Sequence, residues 1–464
     1  MRGREAHEWR LGIGAVSVVC AAAWSAGSAA GEGCAWWQVR KLVASDAAAG
    51  DEYGYPVAIW GEFIVIGAWH DDDHGSNSGS AYVYDRVTGA ELFKLTASDA
   101  SAGAQFGYPI TVSDGVALIG AFGDSQLGRE AGAAYLFDVT SGVELHKLTA
   151  SDGRIDDWFG VSVAHSGQYT VVGANQTDDD GPDSGSAYLF DVATGTELMK
   201  LRASDAAAGD WFGFDVAIDG DVVLVGARRH NSGAVHAGAV YVFDAGTGEE
   251  RLKLTASDAE AGANFGRAVA VSGNLAVVGA PLTSHAGLNS GTAYVFDVTT
   301  GAEVLRLVAD DAAGSANFGV SVAIHGTRAV VGAFGDSERG VAAGAAYVFD
   351  VTTGAQVAKL MADDATFFHL LGIRVAIEDE TVLAGAWFDR HAGTNSGTAY
   401  VFELDCGQSC AADLTGDGVL DFFDVQAYLN LYASGADAAD VTGDGVLDFF
   451  DVQAFLSLFA AGCG

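Results

Sequence analysis

Two short stretches near the C-terminus carry oxygen-bearing side chains at a spacing that suits a calcium ion. Residues 413–424 and 440–451 are nearly identical and lie 27 residues apart. Each has oxygen donors at positions 1, 3, 5, 9 and 12, glycine at position 6 and a backbone carbonyl at position 7, as a Ca²⁺ loop requires. The predicted ligands of two Ca²⁺ ions are Asp413, Thr415, Asp417, Val419, Asp421 and Asp424, then Asp440, Thr442, Asp444, Val446, Asp448 and Asp451. The alternative is a pair of ion-free Asp/Gly turns.

Each loop leads into a short amphipathic helix, which we predict at residues 425–431 and 452–459, and no comparable helix precedes either loop. This duplicated half of an EF-hand resembles a type I dockerin, and the ending Gly462-Cys463-Gly464 resembles the Gly-Cys-terminated dockerin variant of exported bacterial proteins. The resemblance implies a calcium-dependent domain at residues 407–464 that binds a cohesin-like protein or a cell-envelope scaffold. Cys410 and Cys463 flank this domain and are expected to join its ends.

The sequence departs from the dockerin pattern in two places, one in the predicted calcium ligands and one in the predicted recognition residues. Thr415 and Thr442 stand where Asn or Asp is usual, a change that an oxygen-ligand site tolerates. Phenylalanine pairs stand where dockerins place small polar recognition residues. They are Phe422, Phe423, Phe449 and Phe450. We expect these side chains to form two docking patches; the alternative is that they fill the small core of the domain.

The larger part of the chain is organised by a repeat of 53 residues. A basic residue followed by leucine recurs at this spacing, at Lys41, Lys94, Lys147, Lys200, Lys253, Arg306 and Lys359. Each copy contains four short alternating stretches bounded by turn residues, which predicts a four-stranded unit. Seven such units predict a mainly β fold, a seven-bladed β-propeller at residues 34–406, followed by the small α-helical calcium-loop domain.

An aromatic-glycine pair, followed thirteen residues later by Gly-Ala, marks six of the copies. The pairs begin at Tyr53, Phe106, Phe159, Phe212, Phe265 and Phe318, and the seventh copy has Leu371-Gly372. These pairs resemble the FG-GAP repeats of integrin-α-type propellers, although the full Gly-Ala-Pro triplet occurs only at residues 279–281. Integrin calcium loops between the first two strands do not carry over, because that link is as short as residues 218–221.

An aspartate and a tyrosine also recur once in every copy. They are Asp46, Asp99, Asp152, Asp205, Asp258, Asp311 and Asp364, and Tyr82, Tyr135, Tyr188, Tyr241, Tyr294, Tyr347 and Tyr400. A single active site does not need seven copies around a ring, so we predict a structural role for both columns.

The two ends of the propeller are expected to share one blade. The seventh copy lacks a fourth strand, and residues 36–42 align with the outer strand of the other copies, so the N-terminal strand should complete blade seven. In the 53-residue register, Cys34 and Cys406 fall at adjacent places of one turn, which favours a disulfide between them. The alternative is a local bond between Cys406 and Cys410.

The copies differ most in the link between their second and third strands. The residue after each Gly-Ala is Trp69, Phe122, Asn175, Arg228, Pro281, Phe334 or Trp387, in chain order. Four aromatic residues in this set belong to contiguous blades: Trp69, Phe122, Phe334 and Trp387. They form a platform that binds sugar rings or an apolar partner; the alternative is that they pack between blades. Acidic runs at residues 71–73 and 178–180 are either cation ligands or solvated loop residues.

Composition limits the function of the whole chain. The formal charge is −38, with 61 acidic and 23 basic residues among 464, so nucleic acid is a poor partner. Arg2, Arg4 and Arg10 precede an apolar run that is too short for a transmembrane anchor, and residues 28–30 suit a signal peptidase, so we predict a signal peptide at residues 1–30 and a secreted or cell-surface protein.

The sequence contains no HExxH, GxSxG or phosphate-loop motif. We therefore expect a non-catalytic binding or scaffold protein, with glycan as a candidate ligand. The alternative function is a polysaccharide-processing enzyme or carbohydrate-binding component that the dockerin-like domain targets.

Overall fold

A computed structural model describes residues 34–405, 412, 414, 422–434, 436, 439–441 and 446–461. Residues 34–405 form seven antiparallel sheets of four strands each. In six of the sheets the strands follow chain order from first to fourth, which is the up-and-down arrangement of a propeller blade. The predicted seven-bladed propeller is confirmed.

The first three blades are built from the strands that follow each Phe-Gly or Tyr-Gly pair. Blade one contains β2 (Val57–Trp60), β3 (Phe63–Ala68), β4 (Ser80–Asp85) and β5 (Glu91–Leu95). Blade two contains β6 (Ile110–Ser113), β7 (Val116–Ala121), β8 (Ala133–Asp138) and β9 (Val143–Leu148). Blade three contains β10 (Ser162–Ser166), β11 (Tyr169–Ala174), β12 (Ser186–Asp191) and β13 (Thr196–Leu201).

The next three blades repeat this arrangement. Blade four contains β14 (Phe212–Asp219), β15 (Val222–Ala227), β16 (Ala239–Asp244) and β17 (Glu250–Leu254). Blade five contains β18 (Ala268–Ser272), β19 (Leu275–Ala280), β20 (Thr292–Asp297) and β21 (Ala302–Leu307). Blade six contains β22 (Val322–His325), β23 (Arg328–Ala333), β24 (Ala345–Asp350) and β25 (Gln356–Leu360).

Blade seven joins the start of the propeller to its end. Its strands are β26 (Val375–Glu378), β27 (Thr381–Ala386), β28 (Thr398–Asp405) and the N-terminal strand β1 (Ala35–Leu42). β1 pairs with β28 in antiparallel register from Ala35 opposite Asp405 to Leu42 opposite Ala399. The predicted closure by the N-terminal strand is confirmed, and it pairs the outer edge of β28.

The hydrophobic core lies between neighbouring blades. Val65 and Val83 of blade one pack with Val112 and Ile119 of blade two, and equivalent clusters follow around the ring. The glycine of each Gly-Ala pair is required by this packing: a Cβ on Gly67 would lie 2.1 Å from the carbonyl oxygen of Gly107 in the next blade. The FG-GAP glycines therefore set the distance between blades.

The innermost strands surround a central channel of about 270 Å³. In each blade the first strand starts, and the second strand ends, at the same face of the ring, because the two are antiparallel neighbours. The links between blades and the links between second and third strands therefore share one face, which we call the variable face. β28 runs away from that face, so the chain leaves the propeller on the opposite one.

The C-terminal region contains two helices, α1 (Phe422–Ser434) and α2 (Phe449–Ala461). Both begin three residues before the predicted starts, at residues 425 and 452. α2 begins early because Asp448 caps it: Asp448 Oδ1 accepts from the Phe450 amide at 2.8 Å, and Asp451 Oδ2 accepts from the Asp448 amide at 2.9 Å. This reciprocal pair is a capping box, which stabilises the first helical turn.

Candidate functional site

The recurring aspartate and tyrosine columns form one contact network per blade. In blade two, Asp99 accepts from the hydroxyl of Tyr135 at 2.8 Å and from Lys147 Nζ at 2.7 Å. All seven blades repeat the tyrosine bond at 2.6–3.0 Å. Each aspartate joins the start of a blade to its outer strands, so the predicted structural role is confirmed.

The serine before this aspartate connects blades. Ser98 follows the outer strand of blade one, and its amide and hydroxyl both donate to Glu144 in the outer strand of blade two, at 2.8 and 2.9 Å. The same pair of bonds links Ser151 to Glu197 and Ser204 to Glu250. The repeated Lys-Leu-Thr-Ala-Ser-Asp stretch is therefore a connector between adjacent blades.

The acidic runs in the variable links are held by basic side chains of the same blades. Asp46, Asp71 and Asp73 come close enough together to resemble a cation site. Lys94 Nζ, however, donates to all three, at 2.6, 3.0 and 2.5 Å. In blade three, Asp179 pairs with Lys200 and Asp180 pairs with Arg202. Basic side chains therefore occupy the positions beside these carboxylates, and the resulting ion pairs brace the loops.

The four predicted platform residues lie at the variable-face end of the channel. Trp69, Phe122, Phe334 and Trp387 are each partly buried. Trp69, Phe334 and Trp387 pack on the buried cluster of Tyr55, Val320 and Ile373. These four residues, which we call the aromatic crescent, thus form a continuous surface at the channel mouth. This surface has both packed and exposed atoms.

Two tyrosines that the sequence interpretation missed hold the crescent together. Tyr55 and Tyr108 stack with ring centroids 4.9 Å apart. Tyr55 lies 4.8 Å from Trp387, and Tyr108 lies 5.3 Å from both Trp69 and Phe122. The available signal was the position directly after each Phe-Gly or Tyr-Gly pair, which starts the inner strand at this same mouth.

The rest of the mouth is polar and carries an arginine. Arg228 in blade four and Asn175 in blade three occupy the same repeat position as the four crescent aromatics. Asn175 is fully buried, and neither its Nδ2 nor its Oδ1 has a hydrogen-bond partner among the described residues. The mouth therefore has an aromatic side and a polar, arginine-bearing side.

The C-terminal helices share a small aromatic core. Tyr428 and Phe455 stack in parallel with centroids 4.1 Å apart, and both are 1% exposed. The four predicted docking residues lie outside this core: Phe422, Phe423, Phe449 and Phe450 are 71%, 62%, 70% and 64% exposed. The core-filling alternative is wrong for these side chains.

The described part of the calcium loops fits a cation in its chemistry. Asp424 and Asp451, the last predicted ligands of each loop, are 0% exposed. Asp440, Val446 and Asp448 are also described, and all these donors are oxygens, as a hard Ca²⁺ ion prefers. The predicted ligands Asp413, Thr415, Asp417, Val419, Asp421, Thr442 and Asp444 lie outside the described residues.

Several terminal predictions also lie outside the described residues. They are the signal peptide at residues 1–30 and the disulfide partners Cys406, Cys410 and Cys463. The two disulfides therefore remain predictions. Among the described helices, none is long and apolar enough to cross a membrane.

Comparison with known proteins identifies the repeat. The FG-GAP repeat family matches residues 36–84, 90–137, 143–190, 196–243, 249–296, 302–349 and 355–402. No curated protein matches the sequence. Among solved structures, the crystal structure of the computationally designed Ika8 protein is similar, with a TM-score of 0.47, 17% identity, and 79% of this chain and 99% of that chain covered.

FG-GAP repeats are typical of binding or scaffold domains in extracellular and cell-surface proteins. The matched segments coincide with the seven blades and span most of the sequence. The chain therefore belongs to the FG-GAP repeat family.

Proposed function

We propose that this chain is an exported, non-catalytic binding protein whose propeller is attached to an extracellular or cell-surface complex by residues 407–464. In this proposal residues 1–30 direct export and are removed. The C-terminal domain binds two Ca²⁺ ions and docks on a cohesin-like partner or cell-envelope scaffold, and the variable face of the propeller binds the ligand.

The observation that carries the docking proposal is the exposure of two phenylalanine pairs at equivalent helix starts. Phe422 and Phe449 begin α1 and α2, and both are at least 70% exposed. Large apolar side chains exposed in pairs are typical of interaction surfaces. Because the two halves repeat, they offer two equivalent patches to a partner.

Calcium supplies the charge balance that the loops need. Each predicted loop brings four aspartates together, and their mutual repulsion opposes folding until a cation neutralises it. Asp424 and Asp451 would close the loops, while Asp448 and Asp451 also start α2. Ion binding and the formation of the docking surface should therefore be coupled.

The direction of the chain supports separate roles for the propeller, which binds the ligand, and for the C-terminal region, which docks on the partner. β28 ends on the face opposite the variable links, and the C-terminal region follows it. Docking through residues 407–464 would then leave the channel mouth accessible to a ligand.

The test uses the mature chain and a panel of cohesin domains. We expect isothermal titration to give two Ca²⁺ ions per chain and biolayer interferometry to show docking that chelator abolishes. Asp413→Ala with Asp440→Ala should remove both effects. Phe422→Ser with Phe449→Ser should remove docking but keep calcium binding, whereas the control Leu429→Ser, at another exposed apolar position of α1, should keep both.

Docking that is equal in excess chelator would overturn the calcium-dependent mechanism. Release of reducing sugars from polysaccharides by the isolated mature chain would instead support the enzyme alternative.

A further inference from the structure

Four arginines meet near the channel mouth of a strongly acidic protein. Arg267 and Arg374 directly precede the inner strands β18 and β26 of blades five and seven, and Arg228 and Arg229 follow β15 in blade four. The formal charge of the chain is −38, so a local excess of positive charge is unexpected on composition alone. These residues need an explanation of their own.

Aromatic rings, not carboxylates, hold three of these guanidinium groups. Arg228 Cζ lies 4.0 Å from the ring centre of Phe214 and 4.6 Å from that of Trp211. Arg229 Cζ lies 3.5 Å from Trp211, and Arg267 Cζ lies 4.9 Å from Phe214. Cation–π contacts orient a guanidinium group while leaving its N–H edges available for other partners.

Carboxylate compensation at this cluster is weak. Among the described residues, none of the four arginines forms an ion pair within 4.0 Å. One acid, Asp215, lines the channel together with Arg374. Its carboxylate accepts a hydrogen bond from the Val269 amide at 2.8 Å. Burial raises the pKa of Asp215 against the opposing influence of Arg374, and Asp215 forms no ion pair within 4.0 Å with any of the four arginines.

The cost of the cluster is seen at Arg228. Burial, together with the like charges of Arg267 and Arg229, lowers the pKa of Arg228 to about 9. Its Nε is buried and has no hydrogen-bond partner among the described residues. A bound anion would relieve both the repulsion and the unmet hydrogen-bonding capacity, because guanidinium groups pair well with carboxylate and sulfate.

The aromatic crescent continues directly from this cluster. Arg374 Cζ lies 4.8 Å from the ring centre of Tyr55, which stacks on Tyr108 and contacts Trp387. The Trp69 and Trp387 indole nitrogens are also buried without a hydrogen-bond partner among the described residues. Partly exposed aromatic faces beside a guanidinium cluster suit a ligand with ring faces and an acidic substituent.

We propose that the channel mouth binds an acidic carbohydrate chain, with a carboxylate or sulfate group on Arg228 and Arg229 and adjacent sugar rings against the aromatic crescent. This inference rests on the proposed binding function and assigns the ligand class to it. The overall negative charge of the protein repels polyanions at long range, so recognition depends on these short-range contacts.

The test measures binding of defined oligosaccharides to the full mature chain by titration calorimetry. The probes are an oligogalacturonate, its neutral methyl ester, a sulfated oligosaccharide of equal length and an oligoglutamate peptide. We expect binding of the uronate or the sulfated chain and not of the ester. Arg228→Gln and Arg229→Gln should each weaken it by roughly tenfold or more, the loss expected for one charge-assisted hydrogen bond.

Arg202→Gln is the matched control, since Arg202 is an exposed arginine that pairs with Asp180 outside the mouth. We expect it to leave binding unchanged. Arg228→Gln should also keep or raise the melting temperature, because it removes like-charge repulsion, which separates a binding role from a structural one.

Equal binding of the neutral ester, or no effect of both arginine variants, would overturn the proposal. Equal binding of oligoglutamate would replace the carbohydrate with an acidic peptide. Calcium-dependent docking is measured separately through residues 407–464, so its loss or retention distinguishes failure of the proposed function from failure of this inference.

Discussion

The outer ring of the propeller and its channel mouth are built from the same repeat, yet they differ in how much the copies vary. In the outer ring, a tyrosine, an aspartate and a basic residue recur in every blade with nearly the same distances. At the mouth, the equivalent position is aromatic in some blades and Asn, Arg or Pro in others. The residues that repeat in all seven blades fix the positions of the strands. The residues that differ between blades give the mouth a surface that can distinguish one ligand from another.

The largest expected effect concerns the closure of the ring. The register of β1 and β28 ends at Ala35 opposite Asp405, and Cys34 and Cys406 are the next residues of the sequence beyond this pair. Cys34→Ser with Cys406→Ser should lower the free energy of unfolding by about 4–5 kcal/mol, as for a disulfide that closes a very long loop. Chemical denaturation measures the loss.

Peptide mapping without reduction is the control. Recovery of a Cys406–Cys410 peptide in place of one joining Cys34 to Cys406 would contradict the seam disulfide.

Removal of a single basic residue from the outer ring should have the next largest effect. Lys147 Nζ pairs with Asp99 and with the buried Asp124, at 2.7 and 3.0 Å. Lys147→Ala leaves a buried carboxylate uncompensated and should lower the free energy of unfolding by about 3 kcal/mol.

Lys253→Ala is the matched control, because His230 stands in blade four where blade two has Asp124. A loss as large for Lys253→Ala as for Lys147→Ala would contradict the role of the buried second acid.

The outer ring also predicts how stability depends on pH. Burial opposes ionisation of Asp46, Asp99 and Asp152, but hydrogen bonds from lysine and tyrosine outweigh it and hold the pKa of each aspartate below its usual value. A lowered folded-state pKa stabilises the protein above the unfolded pKa of about 4 and loses that contribution as pH falls through the folded value.

We therefore expect the melting temperature to fall below about pH 4, and to fall less in Lys147→Ala, where the pKa depression of Asp99 is reduced. Calorimetry from pH 7 to pH 3 measures both. Parallel curves for the two proteins would contradict the assignment.

A separate acid should show the opposite sign. Burial raises the pKa of Asp51 to about 6, above its unfolded value of about 4, so ionisation of Asp51 costs stability that builds up as pH rises through this window and is relieved as pH falls through it. Asp51→Asn should stabilise the protein at pH 7 more than at pH 5. The difference between the two melting temperatures measures this effect.

The smallest stability effects are expected at the channel mouth. Trp69 and Trp387 are partly exposed at the edge of the cluster that contains Tyr55. If the crescent is a binding platform, Trp69→Ala with Trp387→Ala should abolish retention on immobilised oligosaccharide with little change in melting temperature. A large fall in melting temperature would show that packing is the main role of these rings.

Local patterns explain why so much of the propeller was predictable. The 53-residue spacing, the alternation of apolar residues and the missing fourth strand of the seventh copy are all properties of short segments, and together they predicted the strands and the closure. Both helices were predicted too short, and in α2 the capping box of Asp448 and Asp451 adds one turn at the start that apolar periodicity does not record.

The contacts at the channel mouth could not be predicted from local patterns. Arg228 and Phe214 belong to blade four, Tyr55 to blade one and Arg374 to blade seven. The repeat places three of them at recurring positions, but it does not show which side chains from different blades meet. Likewise, the acids of blade one resemble a cation site until Lys94 is placed among them by strand pairing.

By itself, the sequence determined the number of blades, the seam between the chain ends and the position of the two C-terminal helices, because each depends on local hydrophobic pattern and on constant spacing. Tertiary structure alone decided which basic residues neutralise which acids and which aromatic rings hold the arginines. Those contacts exist only when the inner strands converge on one axis, where side chains from different blades come within a few ångströms and share one low-dielectric environment.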